Sequence, residues 1–235
     1  MPGSIQSPGY RAIAYDRRGF GRSSQPWNGY DYDTLAGDLA AVIEQTDAKD
    51  AAIVGFSMGG GEVARYLSRH DGKSVVQAAL ISSVVPYMLK TEDNPTGVDP
   101  GVFTKMAQGI KEDRAKFFAG FFKDFFGVTL LSQPVSDELT VWARSVAMQA
   151  GLRPTLECAN TFATTDFRPD LSAFRVPTLI IHGTDDKTVP IDASSRLATK
   201  AIAQSTFIEY DDAPHGLFAT HKDRLTSDLL NFLKG

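Results

Sequence analysis

Short apolar runs alternate with segments of helical period along most of the chain. Arg11–Tyr15, Ala51–Phe56, Val75–Ser82, Pro177–Gly183 and Thr206–Tyr210 read as strands. The Val75–Ser82 run (Val-Val-Gln-Ala-Ala-Leu-Ile-Ser) is apolar at almost every position, which suits a strand covered on both faces. Between the runs lie helical patterns. Asp33–Thr46 carries Leu35, Leu39, Val42 and Ile43 on one face, with Asp31 or Asp33 as its cap. Glu62–Arg69, Asp192–Ala203 and Leu217–Leu233 complete the set. The rhythm breaks between Pro86 and Phe167, where helical patterns follow one another without a clear strand. There Phe117, Phe118, Phe121, Phe122, Phe125 and Phe126 fall at spacings of one, three and four, a broad aromatic face on one helix. Most of these rings are read as packing; one or two are placed to wall a pocket over the strand ends. The pattern predicts an α/β fold: a mostly parallel sheet with helices on both faces, carrying a helical cap. Residues 1–85 and 168–235 form the core, and 86–167 the cap.

Composition narrows the partners. The chain has 235 residues, 43% hydrophobic and 22% charged, enough to bury a full core. A net charge of −4 gives no electrostatic case for nucleic acid or an anionic membrane as partner. The single cysteine, Cys158, cannot form an intrachain disulfide and reads as a small core residue on a helix, compatible with a reducing compartment. No Cys/His cluster has zinc spacing, and no apolar run is long enough to span a bilayer. Met1–Pro8 has neither the basic nor the apolar region of a secretory leader. A soluble cytoplasmic protein without metal or cofactor is expected.

The chemistry centres on Gly55-Phe56-Ser57-Met58-Gly59, a G-x-S-x-G pattern between a predicted strand and a predicted helix. So tight a strand-to-helix reversal is expected to admit only small residues on either side of the serine. It exposes the Ser57 hydroxyl and aims the Met58 N–H where an oxyanion would form. A serine needs a base, normally a histidine oriented by a carboxylate. Of four histidines, His70 lies at the far end of the helix after the serine. His182 sits just inside a strand end, as a structural residue would. His221 falls within the last helix, read as exposed. His215 occupies a loop after the last strand, at the carboxyl edge where chemistry gathers in open α/β sheets. It is the expected base. The loop after the preceding strand offers Asp186 as the acid, with Asp185 in reserve. Two adjacent acids also suggest a metal, but no further ligands accompany them. Phe56, Phe125, Phe162 and Val189 are the candidate pocket walls.

Four segments carry a resemblance: Tyr15-Asp16-Arg17-Arg18-Gly19-Phe20-Gly21-Arg22-Ser23, Val54–Gly61, Thr165–Leu171 and Asp212-Ala213-Pro214-His215-Gly216. From Gly9 onward the chain resembles the α/β-hydrolase family, within it the branch of cofactor-free haloperoxidases that are also aryl esterases. The resemblance implies the chain order Ser57, Asp186, His215, with the acid in His182-Gly183-Thr184-Asp185-Asp186. It implies acyl transfer on small-molecule esters without a cofactor, with hydrogen peroxide able to replace water, and self-association. Lactonase or acyltransferase chemistry is also open to this fold; a dehalogenase would need a carboxylate in place of Ser57. One segment of that branch is missing, the His-Gly-x-Pro loop after a third strand, which supplies the second oxyanion donor. In the branch that strand lies between the segments matching Arg11–Tyr15 and Ala51–Phe56. A second expectation follows: an N-terminally truncated, weakly active or inactive hydrolase-like protein.

Overall fold

Parallel neighbours cannot be joined by a tight turn, so each strand must be followed by a crossover long enough to hold a helix. A computed structural model describes residues 9–235 in this way; the Met1–Pro8 stretch, read above as lacking a leader, lies outside the described residues. Strands β1 (Ala51–Phe56), β2 (Val75–Ile81), β3 (Thr178–Gly183) and β4 (Ser205–Tyr210) lie in the order β1-β2-β3-β4, every pair parallel. Helix α1 (Tyr32–Gln45) precedes β1, α2 (Met58–Arg69) joins β1 to β2, and α6 (Ser195–Ala201) joins β3 to β4. Helices α7 (Leu217–Thr220) and α8 (Lys222–Leu233) end the chain. Between β2 and β3 stand α3 (Pro100–Phe126), α4 (Asp137–Met148) and α5 (Leu152–Thr164), the helical insertion that the pattern predicted.

The near-continuous apolar runs have their reason in the two faces of the sheet. Ala78 and Leu80 of β2 and Ile180 of β3 join Leu35, Ala64 and Tyr66 in one core. Their sequence neighbours Ala79, Ile81, Leu179 and Ile181 point the other way, into a second core with Tyr210, Leu217 and Leu225. Successive side chains alternate faces, so a strand covered on both sides has no polar positions to spare. Helix α1 starts at Asp31, whose carboxylate accepts the Thr34 N–H at 2.9 Å. Helix α3 kinks at Asp113 (φ −153°) and stops at Gly127 in the left-handed conformation (φ 71°). Phe118, Phe122, Phe125 and Phe126 are buried along its second half, against Leu139 and Ala143 of α4.

Two elements differ from the pattern. Arg11–Tyr15 belongs to no strand, and Ile13 and Tyr15 are exposed. An extended run becomes a strand only when a neighbour accepts its ladder, and among the described residues none lies beside it. The segment is held by side chains instead: Arg11 donates to the Thr46 carbonyl (2.8 Å) and Tyr15 to Glu62 (3.1 Å). The outer edge of β1 is likewise unpaired among the described residues. The last helix is two helices, because His221 leaves helical geometry (φ −126°, ψ 34°) where its ring meets Tyr210 and its Nδ1 meets Thr220 Oγ1 at 2.8 Å. His221 is half-buried, where exposure was expected.

Ile180 is fully enclosed at the middle of the sheet. Ile180→Ala should lower the unfolding free energy by about 2–5 kcal/mol in urea with an unchanged m-value; a loss well under about 1 kcal/mol would contradict this packing.

Candidate active site

The site begins where β1 becomes α2. Ser57 sits between them at φ 53°, ψ −120°, a backbone region that non-glycine residues rarely occupy. Its N–H donates to the Ile81 carbonyl at 2.8 Å, carrying the β1–β2 ladder one residue past the strand. α2 then starts at once, and the first N–H groups of a helix, here that of Met58 foremost, have no intrahelical acceptor. The two glycines around Ser57 are not equivalent. A Cβ on Gly55 would strike the backbone of Gly59, whereas one on Gly59 would stand in open space. The expectation that both flanking positions must be small thus holds sterically for Gly55 alone. Close approach on the helix side falls one residue later, where a Cβ on Gly60 would meet the Ser83 side chain.

The loops after β3 and β4 bring two more groups to this corner. His215 Nε2 lies 2.9 Å from Ser57 Oγ, and His215 Nδ1 lies 2.6 Å from Asp186 Oδ2. The other carboxylate oxygen, Oδ1, accepts the backbone N–H groups of Thr188 (2.9 Å) and Val189 (2.8 Å). With Nδ1–H donating to the carboxylate, Nε2 is free to accept the serine proton. The loops are pinned together: Gly183 packs so close to Ala213 that a Cβ would strike its carbonyl, and the Asp185 N–H donates to that carbonyl at 3.1 Å. The next loop is tied to the insertion, the Gly216 N–H donating to the Phe125 carbonyl at 2.7 Å. Asp186 and His215 are both almost wholly buried. Burial alone would raise the carboxyl's pKa, yet the charge of His215, the close approach of the His182 N–H and the hydrogen bond from His215 outweigh it and hold Asp186 down at about 2. Asp185 is half exposed beside Lys187 (3.5 Å) and stands outside the relay.

The predicted pocket residues separate. Phe56 and Phe125 both flank His215, with ring centroids 5.0 and 4.9 Å from the imidazole. Phe162 packs on Phe103 at 6.1 Å, against the main core. Val189 is buried in that core with its N–H on Asp186, so it stands behind the carboxylate rather than along an open wall. Three residues gain a place that the sequence did not suggest. Phe218 meets Phe56 edge-on at 5.2 Å. Glu62, buried on α2, accepts from Arg17 and Tyr15 and so ties the 16–24 loop to that helix. His182, fully enclosed, reaches within 3.1 Å of Asp186 Oδ2; His182-Gly183-Thr184-Asp185-Asp186 was the one available signal, since a strand-end histidine and a loop acid four residues on can meet. An apolar cavity of about 530 Å³ lies between α3, α4 and α8, but none of Ser57, Asp186 and His215 lines it. Among the described residues no three acidic, histidine or cysteine side chains converge as metal ligands.

A parallel sheet carrying a strained serine at a strand-to-helix turn, with a histidine and an acid on later strand-end loops, defines the class of α/β hydrolases. Residues 2–222 match the family model for the alpha/beta hydrolase fold, and the chain belongs to that family. It is similar to a putative non-heme chloroperoxidase of Synechocystis sp., 45% identical over 98% of this chain and 83% of the relative. A bifunctional esterase/perhydrolase of Acinetobacter calcoaceticus is 38% identical over 96% of this chain and 82% of its own. Among solved structures, bromoperoxidase from Bacillus anthracis superposes with a TM-score of 0.94 at 43% identity, covering 97% of this chain and 83% of that one.

Two outcomes check this geometry. Gly55→Ala should destabilise the fold or prevent it, whereas Gly59→Ala should be neutral or stabilising in thermal melts; equal effects would contradict the asymmetry. The Asp186 carboxyl, at about 2 in the fold against about 3.9 in an unfolded chain, contributes stability that is present above about pH 4 and lost as pH falls toward its folded value. The stability gap between wild type and Asp186→Asn should therefore shrink, on the order of 2 kcal/mol, in urea titrations taken from pH 6 to pH 2.5. A gap that does not change with pH would contradict it.

Proposed function

We propose that this chain is a carboxylesterase acting on small aryl and short-chain esters, with hydrogen peroxide accepted in place of water. The observation that carries the reading is the continuous relay from Ser57 Oγ through His215 to Asp186, at 2.9 and 2.6 Å. Ser57 Oγ attacks the ester carbonyl carbon while its proton passes to His215 Nε2. The developing oxyanion is met by the Met58 N–H at the positive end of α2. His215 returns the proton to the departing alcohol oxygen, leaving an acyl group on Ser57. Water, deprotonated by the same nitrogen, then releases the carboxylic acid. Hydrogen peroxide attacking the same acyl group leaves a peracid, an oxidant that can oxidise halide without haem or metal. This agrees with relatives named both chloroperoxidase and esterase/perhydrolase. Phe56, Phe125 and Phe218 supply an apolar wall beside His215 for the acyl group. The buried Cys158, whose thiol burial pushes up to about 11, takes no part. No described helix is long and apolar enough to cross a membrane; we place the protein in the cytoplasm, self-associating, with small-molecule substrates.

A second reading, a weakly active or inactive hydrolase-like protein, is favoured by the unpaired outer edge of β1 among the described residues. In the branch that this chain resembles, a third strand and a second oxyanion donor lie beside that edge, and one such donor is worth about a hundred- to a thousandfold in rate. Hydrolysis of p-nitrophenyl acetate by the purified chain separates the two. Ser57→Ala and His215→Ala should each lower kcat by about a thousandfold or more with the circular dichroism unchanged, while His221→Ala keeps activity. Retention of most activity in Ser57→Ala would overturn the esterase reading. A folded wild type without turnover would favour the second.

A further inference from the structure

His182 is the fully buried histidine that the mechanism above leaves unused. It is the fifth of six residues in β3, and its ring is bonded on both sides. Nε2 lies 2.8 Å from the Val189 carbonyl, which can only accept, so Nε2 carries the proton. Nδ1 lies 2.7 Å from Ser195 Oγ on α6 and, in the neutral ring, accepts the Ser195 hydroxyl proton. The same Nε2–H edge comes within 3.1 Å of Asp186 Oδ2, the oxygen that receives His215 Nδ1–H. Its main bond is to the Val189 carbonyl, and Val189 is also the residue whose N–H holds Asp186 Oδ1. One imidazole thus fixes the loop that grips the carboxylate and presents a positive edge to its second oxygen. The other charged neighbours are already engaged: Glu209, beside His182 on β4, is paired with Arg196 (2.6 Å), and Asp185 with Lys187 (3.5 Å). Asp186 and His215 remain as the ionisable groups facing this ring.

We propose that His182 is a positioning residue for the Ser57–His215–Asp186 relay, holding Asp186 in the orientation that aims His215 Nε2 at Ser57. The catalytic part rests on the esterase reading; the positioning part does not. Without the ring, Asp186 loses a donor edge and the anchor of its loop, so its carboxylate attracts protons more strongly and swings more freely. Two consequences follow. His215 is aimed less well at Ser57, which lowers kcat with little effect on KM, because no substrate contact is removed. A more basic carboxylate also favours the protonated imidazole, so the acid limb of the kcat/KM profile moves to higher pH.

The test uses three variants, His182→Leu, His182→Gln and Ser195→Ala, with circular dichroism, steady-state kinetics across pH and proton NMR of the strongly deshielded His215 Nδ1–H. His182→Leu is expected to lose about ten- to a hundredfold in kcat, with KM within about twofold, the acid limb raised and the deshielded proton shifted or lost. His182→Gln, which returns an N–H near Nε2, should recover most of kcat and restore the limb. Ser195→Ala releases the Nδ1 side and should give a smaller loss of kcat with the same signature, so the proposal stays testable if His182→Leu does not fold. Folded variants with wild-type kcat, acid limb and deshielded proton would overturn it. Equal impairment of His182→Leu and His182→Gln would also overturn it, since the ring would then serve shape alone. If the wild type proves not to be an esterase, the NMR signal still decides whether His182 holds Asp186.

Discussion

The reversal of the chain at Ser57 is the constraint on which the rest of the structure depends. A positive φ at a serine costs on the order of 1–3 kcal/mol and persists only where the surroundings over-determine it. Here they do. β1 is tied to β2 up to and one residue past its end, and α2 begins without an intervening loop. The Tyr32 hydroxyl of α1 donates to the Met58 carbonyl at 3.0 Å, and the ion pair of Arg17 with buried Glu62 fixes the face of α2 next to the 16–24 loop. The strain is held by the sheet, by α1 and by the 16–24 loop. Its result is a hydroxyl presented at the carboxyl edge with a helix N-terminus beside it.

Two later loops converge on the hydroxyl that this reversal presents. Those loops leave β3 and β4 at the same edge, since all four strands run in one direction. Burial makes the convergence consequential. Asp186 has two backbone N–H groups on one oxygen and His215 on the other, so its charge is retained in a place that desolvation would otherwise neutralise. The insertion is not separate from this site: α3 ends beside His215, with the Phe125 carbonyl holding the Gly216 N–H and the Phe125 ring against the imidazole.

Much of this was legible in the sequence because few topologies are open to alternating apolar runs and helices. Once the sheet is parallel, the loops after successive strands share one edge, so Ser57, Asp186 and His215 could be assembled without coordinates. Arg11–Tyr15 was misread because periodicity reports apolar character and not whether a neighbouring strand is present to accept a ladder. The division of the last helix at His221 turned on a contact with Tyr210, and a periodic pattern carries no record of such contacts. Gly59 was misjudged because the motif gives residue types but not which of them meets backbone. His182 looked like a satisfied core histidine, and its bonds to Ser195 and Val189 agree with that; its approach to Asp186 depends on how the 184–190 loop folds back. Phe162 and Val189 were placed by type, and three-dimensional packing put Val189 in the core and Phe162 against it.

We propose Ser57 as a nucleophile activated by His215, whose Nε2 lies 2.9 Å from the serine hydroxyl. Intact and peptide mass spectrometry after exposure to a fluorophosphonate tests it directly, because an activated serine displaces fluoride and keeps the phosphonyl group. One adduct per chain is expected, located on Ser57 and formed far more slowly in His215→Ala. No adduct on a folded chain, or an adduct at another residue, would contradict it.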